Sequence, residues 1–176
     1  AIKHQVFLNL DMEHYGVKHL TLEVFKELLM EPEFRSYTHF GCVIQAYLKD
    51  SYSDIQDLID YAKSRGTYFT IRLVKGAYWD SESIEAQQKD WPIPVYLNKS
   101  ETDSNYESCA DLLMKNISVI HLALGSHNVR TIAAAIVSAE KYNVPKAAFE
   151  IQMLYGMADP IKKSLVSMGY RVREYA

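Results

Sequence analysis

The fold is decided by the stretch Arg72-Leu73-Val74-Lys75-Gly76-Ala77-Tyr78-Trp79-Asp80, an apolar run that stops at a glycine and then presents two aromatic side chains and a carboxylate. Together with the residues before it, the run predicts a strand over 68–74. Arg72 and Lys75 place two cations in that strand or at its end, where an unpaired buried charge is costly. The pattern therefore predicts that anionic groups meet them. These are either carboxylates inside a barrel or an anionic ligand above the strand's carboxyl end.

Composition predicts one soluble domain over residues 1–176. The chain has 48% hydrophobic and 23% charged residues, and its length is enough to bury a core. The net charge of −3 is scattered along the chain, which argues against nucleic acid and favours small-molecule partners. Cys42 and Cys109 fall in a predicted strand and a predicted helix, so buried thiols are expected. With no signal-peptide pattern at the start, the sequence predicts a cytoplasmic protein.

Apolar strands and amphipathic helices alternate along the whole chain. The predicted strands cover residues 5–10, 41–47, 68–74, 118–124, 147–152 and 170–175. The helices between them are indicated by the apolar faces Leu20, Val24, Phe25 and Leu28; Ile55, Leu58, Ile59 and Ala62; Tyr106, Cys109, Ala110 and Leu113; and Ile132, Ile136 and Val137; a short helix is predicted at 81–88. Asp54 and Asp159 are predicted N-caps, and Gly66 and Gly169 are predicted helix ends. Such alternation indicates a parallel sheet.

The sheet is predicted to belong to an α/β barrel of the (β/α)8 TIM type. Dinucleotide and phosphate-loop glycine motifs are absent from the sequence, which disfavours the doubly wound alternative. Polar residues follow every predicted strand and would ring one mouth, namely Asp11, Gln45, Lys75, His127, Gln152 and Tyr175. Since such a barrel has eight strands, a partial barrel of about six is expected, without the first two strands and the last helix.

Four segments resemble motifs of the proline dehydrogenase barrel, in the form found in bifunctional proline utilisation flavoenzymes. Residues 72–80 match its RLVKGAYWD block, residues 43–47 its VIQAY strand, residues 126–128 its THN turn and residues 149–157 its EFQCLHGM strand end. They occur in the family's order. The resemblance covers essentially the whole chain and aligns it with the third to eighth strands of that barrel.

The resemblance implies an FAD-dependent enzyme. In the family, L-proline is oxidised to 1-pyrroline-5-carboxylate by hydride transfer to flavin N5, and the electrons pass to a membrane quinone. A cytoplasmic parent protein that associates peripherally with the membrane is therefore expected. The family's substrate-binding arginine pair lies on the helix after the eighth strand, beyond residue 176. These residues alone are therefore expected to be inactive.

The resemblance also implies roles for individual residues. Arg72 is expected at flavin N5 and Gln45 at the polar edge of the ring. Asp11 matches the active-site aspartate, and Tyr78, Tyr175 and Leu154 are expected to enclose the proline ring. The further FAD-binding residues are expected to be Val74, Lys75, Gly76, Ala77, Trp79, Lys99, Ser126, His127, Asn128 and Gln152.

Other interpretations of the same residues stay open. Lys75 could be the nucleophile of a Schiff-base aldolase barrel, although the phosphate-binding glycine clusters of such enzymes are missing after the fourth and fifth strands. The chain could also be a non-catalytic barrel piece that packs against a partner. His127 and Asn128 could simply start a helix, and Glu13 is expected in the first turn of the first helix.

Overall fold

The computed structural model describes residues 2–175, so the ends of the predicted domain, Ala1 and Ala176, lie outside the described residues. Six parallel strands pair in chain order and curl into a half-barrel with helices between them, which confirms the predicted partial barrel. The strands are β1 Leu8–Leu10, β2 Phe40–Gln45, β3 Thr70–Val74, β4 His121–Gly125, β5 Phe149–Leu154 and β6 Arg171–Tyr175. The helices are α1 Tyr15–Met30, α2 Ser51–Arg65, α3 Trp79–Gln88, α4 Lys99–Lys115, α5 Val129–Lys141 and α6 Asp159–Ser167.

Alternation along the strands separates an apolar outer face from a polar inner face. On β3, Ile71 and Leu73 are fully buried in the core under the helices, whereas Arg72 and Val74 line the hollow of the half-barrel. Arg72 pairs in register with Val43 on one side and with Ala123 on the other, and Val43 lines the same hollow. The inner face therefore carries the charged side chains of otherwise apolar strands.

The first predicted strand begins later than the sequence suggested. Ile2–His4 forms a 3-10 turn, and Gln5 has a positive φ of 51°, so only Leu8–Leu10 pairs with β2. The other strands begin or end within three residues of their predicted bounds. Gln45 and Tyr175 are the last residues of their strands rather than the residues that follow them, and Gln152 lies inside β5.

The predicted buried side of α1 is confirmed only in part, because Phe25 is buried and Leu28 packs against the core, but Leu20 and Val24 do not. Leu20 is 65% exposed and Val24 39%, whereas Lys18, Leu22, Phe25 and Leu29 are buried. The physical reason is Lys18, whose ammonium lies 2.5 Å from Asp50 Oδ2 and 2.6 Å from Asp54 Oδ2 at the start of α2. Turning Lys18 inward moves Leu20 and Val24 to the outer side.

Three further predictions about helices are wrong. Asp54 is not an N-cap, because Asp50 occupies that position and Asp54 pairs with Lys18 instead. Asp159 is likewise the first residue of α6, after an N-cap at Ala158, and it pairs with Lys162. Val137 is 62% exposed because the small residues Ala135 and Ala139, with Ile132, form the buried face of α5.

The two thiols are buried and unpaired, as expected. Burial raises the pKa of Cys42 above its ordinary range and that of Cys109 to about 12, so both are protonated at neutral pH. Among residues 2–175, none of the helices combines the length and hydropathy needed to cross a bilayer.

Candidate active site

A cavity of about 560 Å³ opens at the carboxyl ends of the strands, where ligands of such barrels bind. Its lining includes most of the residues expected at the site. These are Asp11, Gln45, Arg72, Val74, Lys75, Gly76, Ala77, Tyr78, Lys99, Ser126, His127, Asn128, Leu154 and Tyr175. The fold therefore brings together residues separated by up to 164 positions in the sequence, 11 to 175.

Arg72, in the lining of the cavity, is held by two groups. Its Nη2 donates to Asp11 Oδ1 at 2.6 Å, and its guanidinium carbon lies 5.2 Å from the ring centroid of Tyr175. The Arg72 side chain is only 16% exposed, whereas that of Asp11 is 66% exposed. The cation is therefore fixed and nearly buried, and its carboxylate partner is in water.

Lys75 is also paired. Its ammonium contacts Asp103 on α4, and Lys99 shares the same carboxylate at 2.9 Å. The hydrogen bond from Lys75 lowers the pKa of Asp103 below its ordinary value. Both cations of the β3 motif thus have carboxylate partners within the chain, which is the first of the two alternatives that the sequence left open.

Tyr78 is oriented by the loop between β1 and α1. Its hydroxyl donates to Glu13 Oε2 at 2.6 Å, and that hydrogen bond raises the pKa of Tyr78 above its ordinary value. Glu13 precedes the helix, which has its N-cap at His14, so its predicted place in the first turn is wrong. It lines the cavity instead.

Gly76 is explained by packing as well as by the cavity. Its φ of 127° suits glycine, and a Cβ built there would lie 2.6 Å from Cε1 of the buried Tyr47 ring. A glycine at this position is therefore required by packing, whether or not it also contacts a cofactor.

Two buried polar atoms in the lining have no hydrogen-bond partner among the described residues. Gln45 is 3% exposed, and while its Nε2 donates to the Met12 carbonyl oxygen at 3.1 Å, its Oε1 accepts nothing. The second atom without a partner is Nε of Arg72, whose N–H donates to no group. Buried polar groups are normally paired, so this acceptor and this donor leave hydrogen-bonding capacity beside the cavity. Tyr47 Oη, Asp50 Oδ1 and Arg65 Nε, which do not line this cavity, are unpaired in the same way.

The turn after β4 organises the other wall. Asn128 caps α5 by accepting from the Thr131 N–H at 3.1 Å, and Ser126 Oγ accepts from the Asn128 N–H at 3.1 Å. His127 Nε2 accepts from the Leu154 N–H at 2.9 Å. These residues do start a helix, as one interpretation held, and they line the cavity as well.

Two expected residues lie outside this cavity. Trp79 lines an adjoining pocket of about 330 Å³ that shares Lys75, Gly76 and Lys99 with it, and its indole N–H donates to the Tyr96 carbonyl oxygen. Gln152 is buried on the inner face and donates to Glu150 Oε1 at 2.6 Å. Gln152 is therefore absent from the lining of the cavity, and its expected role toward the cofactor stays a prediction.

Sequence reasoning missed three acidic partners. Asp103 lies on α4, far along the chain from Lys75, and nothing in its local pattern marks it. Glu150 accepts from Arg173 at 2.7 and 2.9 Å, and these bonds with that from Gln152 outweigh burial and lower its pKa. Inward alternation on β5 and β6 could have identified this pair. Glu13 could have been identified from the sequence, because it lies two positions after Asp11.

A half-barrel whose strand ends surround a polar cavity is the active-site architecture of (β/α)8 enzymes. The family model for proline dehydrogenase matches residues 1–176, and the chain belongs to that family.

Relatives and solved structures agree with this assignment. The bifunctional protein PutA of Klebsiella aerogenes is 36% identical over 94% of this chain and 13% of its own length. Proline dehydrogenase 2 of Bacillus subtilis (strain 168) is 32% identical over 99% of this chain and 50% of its own length. The crystal structure of proline utilization A from Bdellovibrio bacteriovorus, inactivated by N-propargylglycine, superposes with a TM-score of 0.95 and 64% identity over 97% of this chain and 18% of that chain. The chain thus spans half or less of these relatives.

Proposed function

We propose that the protein carrying this chain oxidises L-proline to 1-pyrroline-5-carboxylate with FAD as the hydride acceptor. Family membership supports the reaction class. The two atoms without hydrogen-bond partners, Gln45 Oε1 and Arg72 Nε, support the cofactor. A flavin ring presents both donors and acceptors along its polar edge, which suits the free acceptor on Gln45 and the free donor on Arg72.

FAD, when bound, would supply the two-electron acceptor at N5. Gln45 and Arg72 would hold its ring, and Lys75, Lys99 and Trp79 would hold its remainder across the two adjoining pockets. The two pockets adjoin, because Lys75, Gly76 and Lys99 line both of them. Electron transfer onward to a quinone, peripheral membrane association and a cytoplasmic location belong to this proposal as well.

The protein's own groups prepare the substrate. Tyr78, held by Glu13, and Tyr175, stacked on the Arg72 guanidinium, offer two aromatic walls, and Leu154 pairs in register with Tyr175. These apolar surfaces exclude water from a small ring. Arg72 would supply a fixed positive charge beside the flavin ring, where electron density increases on reduction. Such preorganised charge lowers the barrier to hydride transfer.

The Schiff-base aldolase alternative fits the geometry poorly. A lysine nucleophile must act as a free amine, but the Lys75 ammonium is engaged by Asp103, which Lys99 also contacts. Borohydride treatment with a carbonyl substrate should leave Lys75 unmodified. The non-catalytic interpretation predicts a colourless protein.

The deciding experiment is a visible spectrum of the protein that carries this chain, followed by anaerobic addition of L-proline. Flavin bands that bleach with proline, and not with D-proline, are expected. A protein without flavin, or a flavin that proline leaves oxidised, would contradict the proposal. Loss of activity on treatment with N-propargylglycine, the compound used on the Bdellovibrio protein, would be a second supporting result.

A further inference from the structure

Glu82 is a buried carboxylate on the first turn of α3 that does not line the cavity. It is 5% exposed. Its Oε1 accepts a hydrogen bond of 2.7 Å from the backbone N–H of Tyr15, which is 67 positions away in the chain, and lies 3.5 Å from Nδ1 of His14. A buried carboxylate with such distant partners joins two segments that the sequence keeps apart.

The contact caps α1 from outside the helix. His14 is at the N-cap position, but its side chain makes no capping hydrogen bond. The first N–H groups of a helix have no partner within it, and the helix dipole favours a negative charge there. Glu82 supplies both the acceptor and the charge that the N-cap residue lacks.

The loop that leads into the N-terminal end of α1 contributes two carboxylates, Asp11 and Glu13, to the cavity lining. Residues 11–14 lead directly into α1, and within them Asp11 bonds Arg72 while Glu13 accepts from Tyr78. The His14 ring lies 4.6 Å from the Tyr78 ring between centroids. Because α3 begins immediately after Tyr78, Glu82 ties this loop to the same segment that the loop contacts in the cavity.

We propose that Glu82 is a positioning residue that fixes loop 11–14 against Tyr78 and so pre-forms the wall of the substrate slot. The effect on proline rests on the proposed function. A wall ordered before binding spares the entropy of ordering it upon binding. Loss of the contact should therefore raise KM for proline more than it lowers kcat.

The test compares Glu82→Ala and Glu82→Gln with Glu85→Ala in the whole protein. Glu85 lies on the same helix but is exposed and pairs with Lys89 on that helix, so it is a matched control. Glutamine keeps an acceptor for the Tyr15 N–H and guards against misfolding of the alanine variant. The readouts are amide hydrogen exchange of residues 11–18 and the separate kcat and KM for proline.

In Glu82→Ala, exchange at Tyr15 should quicken about tenfold or more, in line with the loss of roughly 1.4 kcal/mol or more of local protection, and KM should rise severalfold. Glu82→Gln should show a smaller change of both, and Glu85→Ala neither. Unchanged exchange at Tyr15 would overturn the proposal. Faster exchange with unchanged KM and kcat would also overturn it, because the cap would then be structural only. If the unsubstituted protein does not oxidise proline, the proposed function fails, and the exchange result alone decides whether Glu82 positions the loop.

Discussion

Two polar regions share the inner face of the half-barrel, and they differ in how completely their groups are paired. At the mouth, Gln45 Oε1 and Arg72 Nε are buried without partners. Deeper along β5 and β6, Glu150 accepts from Nε and Nη2 of Arg173 and from Nε2 of Gln152. A closed network of this kind contributes to the fold, whereas the two unpaired atoms leave hydrogen-bonding capacity beside the cavity.

The largest effect is expected from removing the cation at the mouth. Arg72→Met should slow flavin reduction by proline by roughly 30-fold to 1,000-fold, equivalent to about 2–4 kcal/mol of transition-state stabilisation. Stability should change little, because its partner Asp11 is largely in water. Stopped-flow reduction measures the rate, and Arg130→Met, at an exposed ion pair with Glu107, is the control. An unchanged rate in a variant that binds FAD would remove Arg72 from the chemistry.

Breaking the deeper network should instead lower stability. Glu150→Ala leaves Arg173 and Gln152 without their shared acceptor, so the free energy of unfolding should fall by about 1–3 kcal/mol. Urea denaturation measures the loss, with Glu107→Ala as the matched variant on the outer surface. Comparable losses in both variants would show that the inner network is no more important than a surface pair.

A specificity effect should follow from opening the aromatic wall. Tyr175→Ser removes the ring that stacks on Arg72 and should reduce the preference for proline over hydroxyproline by about tenfold. The ratio of the two kcat/KM values measures it. Leu154, which pairs in register with Tyr175, is unchanged in this variant. The same ratio in the variant and in the parent protein would show that Tyr175 does not set substrate size.

The smallest expected effect is a pH dependence at the amino ends of the strands. His121 stacks on Tyr68 with 4.1 Å between centroids, and burial, followed by the nearby Arg171, lowers the pKa of His121 below its ordinary value of 6.5, an effect that Glu150 opposes. As pH falls through 6.5, His121 takes up its proton in the unfolded chain before it does so in the folded protein, so stability decreases on acidification. His121→Phe should flatten the dependence between about pH 7 and 5 in thermal unfolding. An equal slope of stability against pH in the variant and in the parent protein would assign the pH dependence to other groups.

The site was predictable where residues are close in sequence and less so where partners are distant. The strand-and-glycine pattern over 72–80 correctly placed Arg72, Lys75 and Tyr78 at a strand's carboxyl end. Their partners could not be read off, because Asp103 and Glu13 reach them only through folding. For Gln152 the sequence pattern does not show the hydrogen bond that its amide donates to Glu150, and its expected place beside the cofactor stays a prediction.

The sequence by itself determined the alternation of strands and helices, the parallel sheet and the family, because periodicity and motifs are local properties of the chain. Only the tertiary structure decided which face of α1 is buried, since the pairing of Lys18 with Asp50 and Asp54 depends on how two helices pack. The same holds for the ion pairs of Arg72 and Lys75 and for the cap that Glu82 provides to α1. Each of these contacts joins groups that tertiary packing brings within a few ångströms, and no one-dimensional pattern contains that distance.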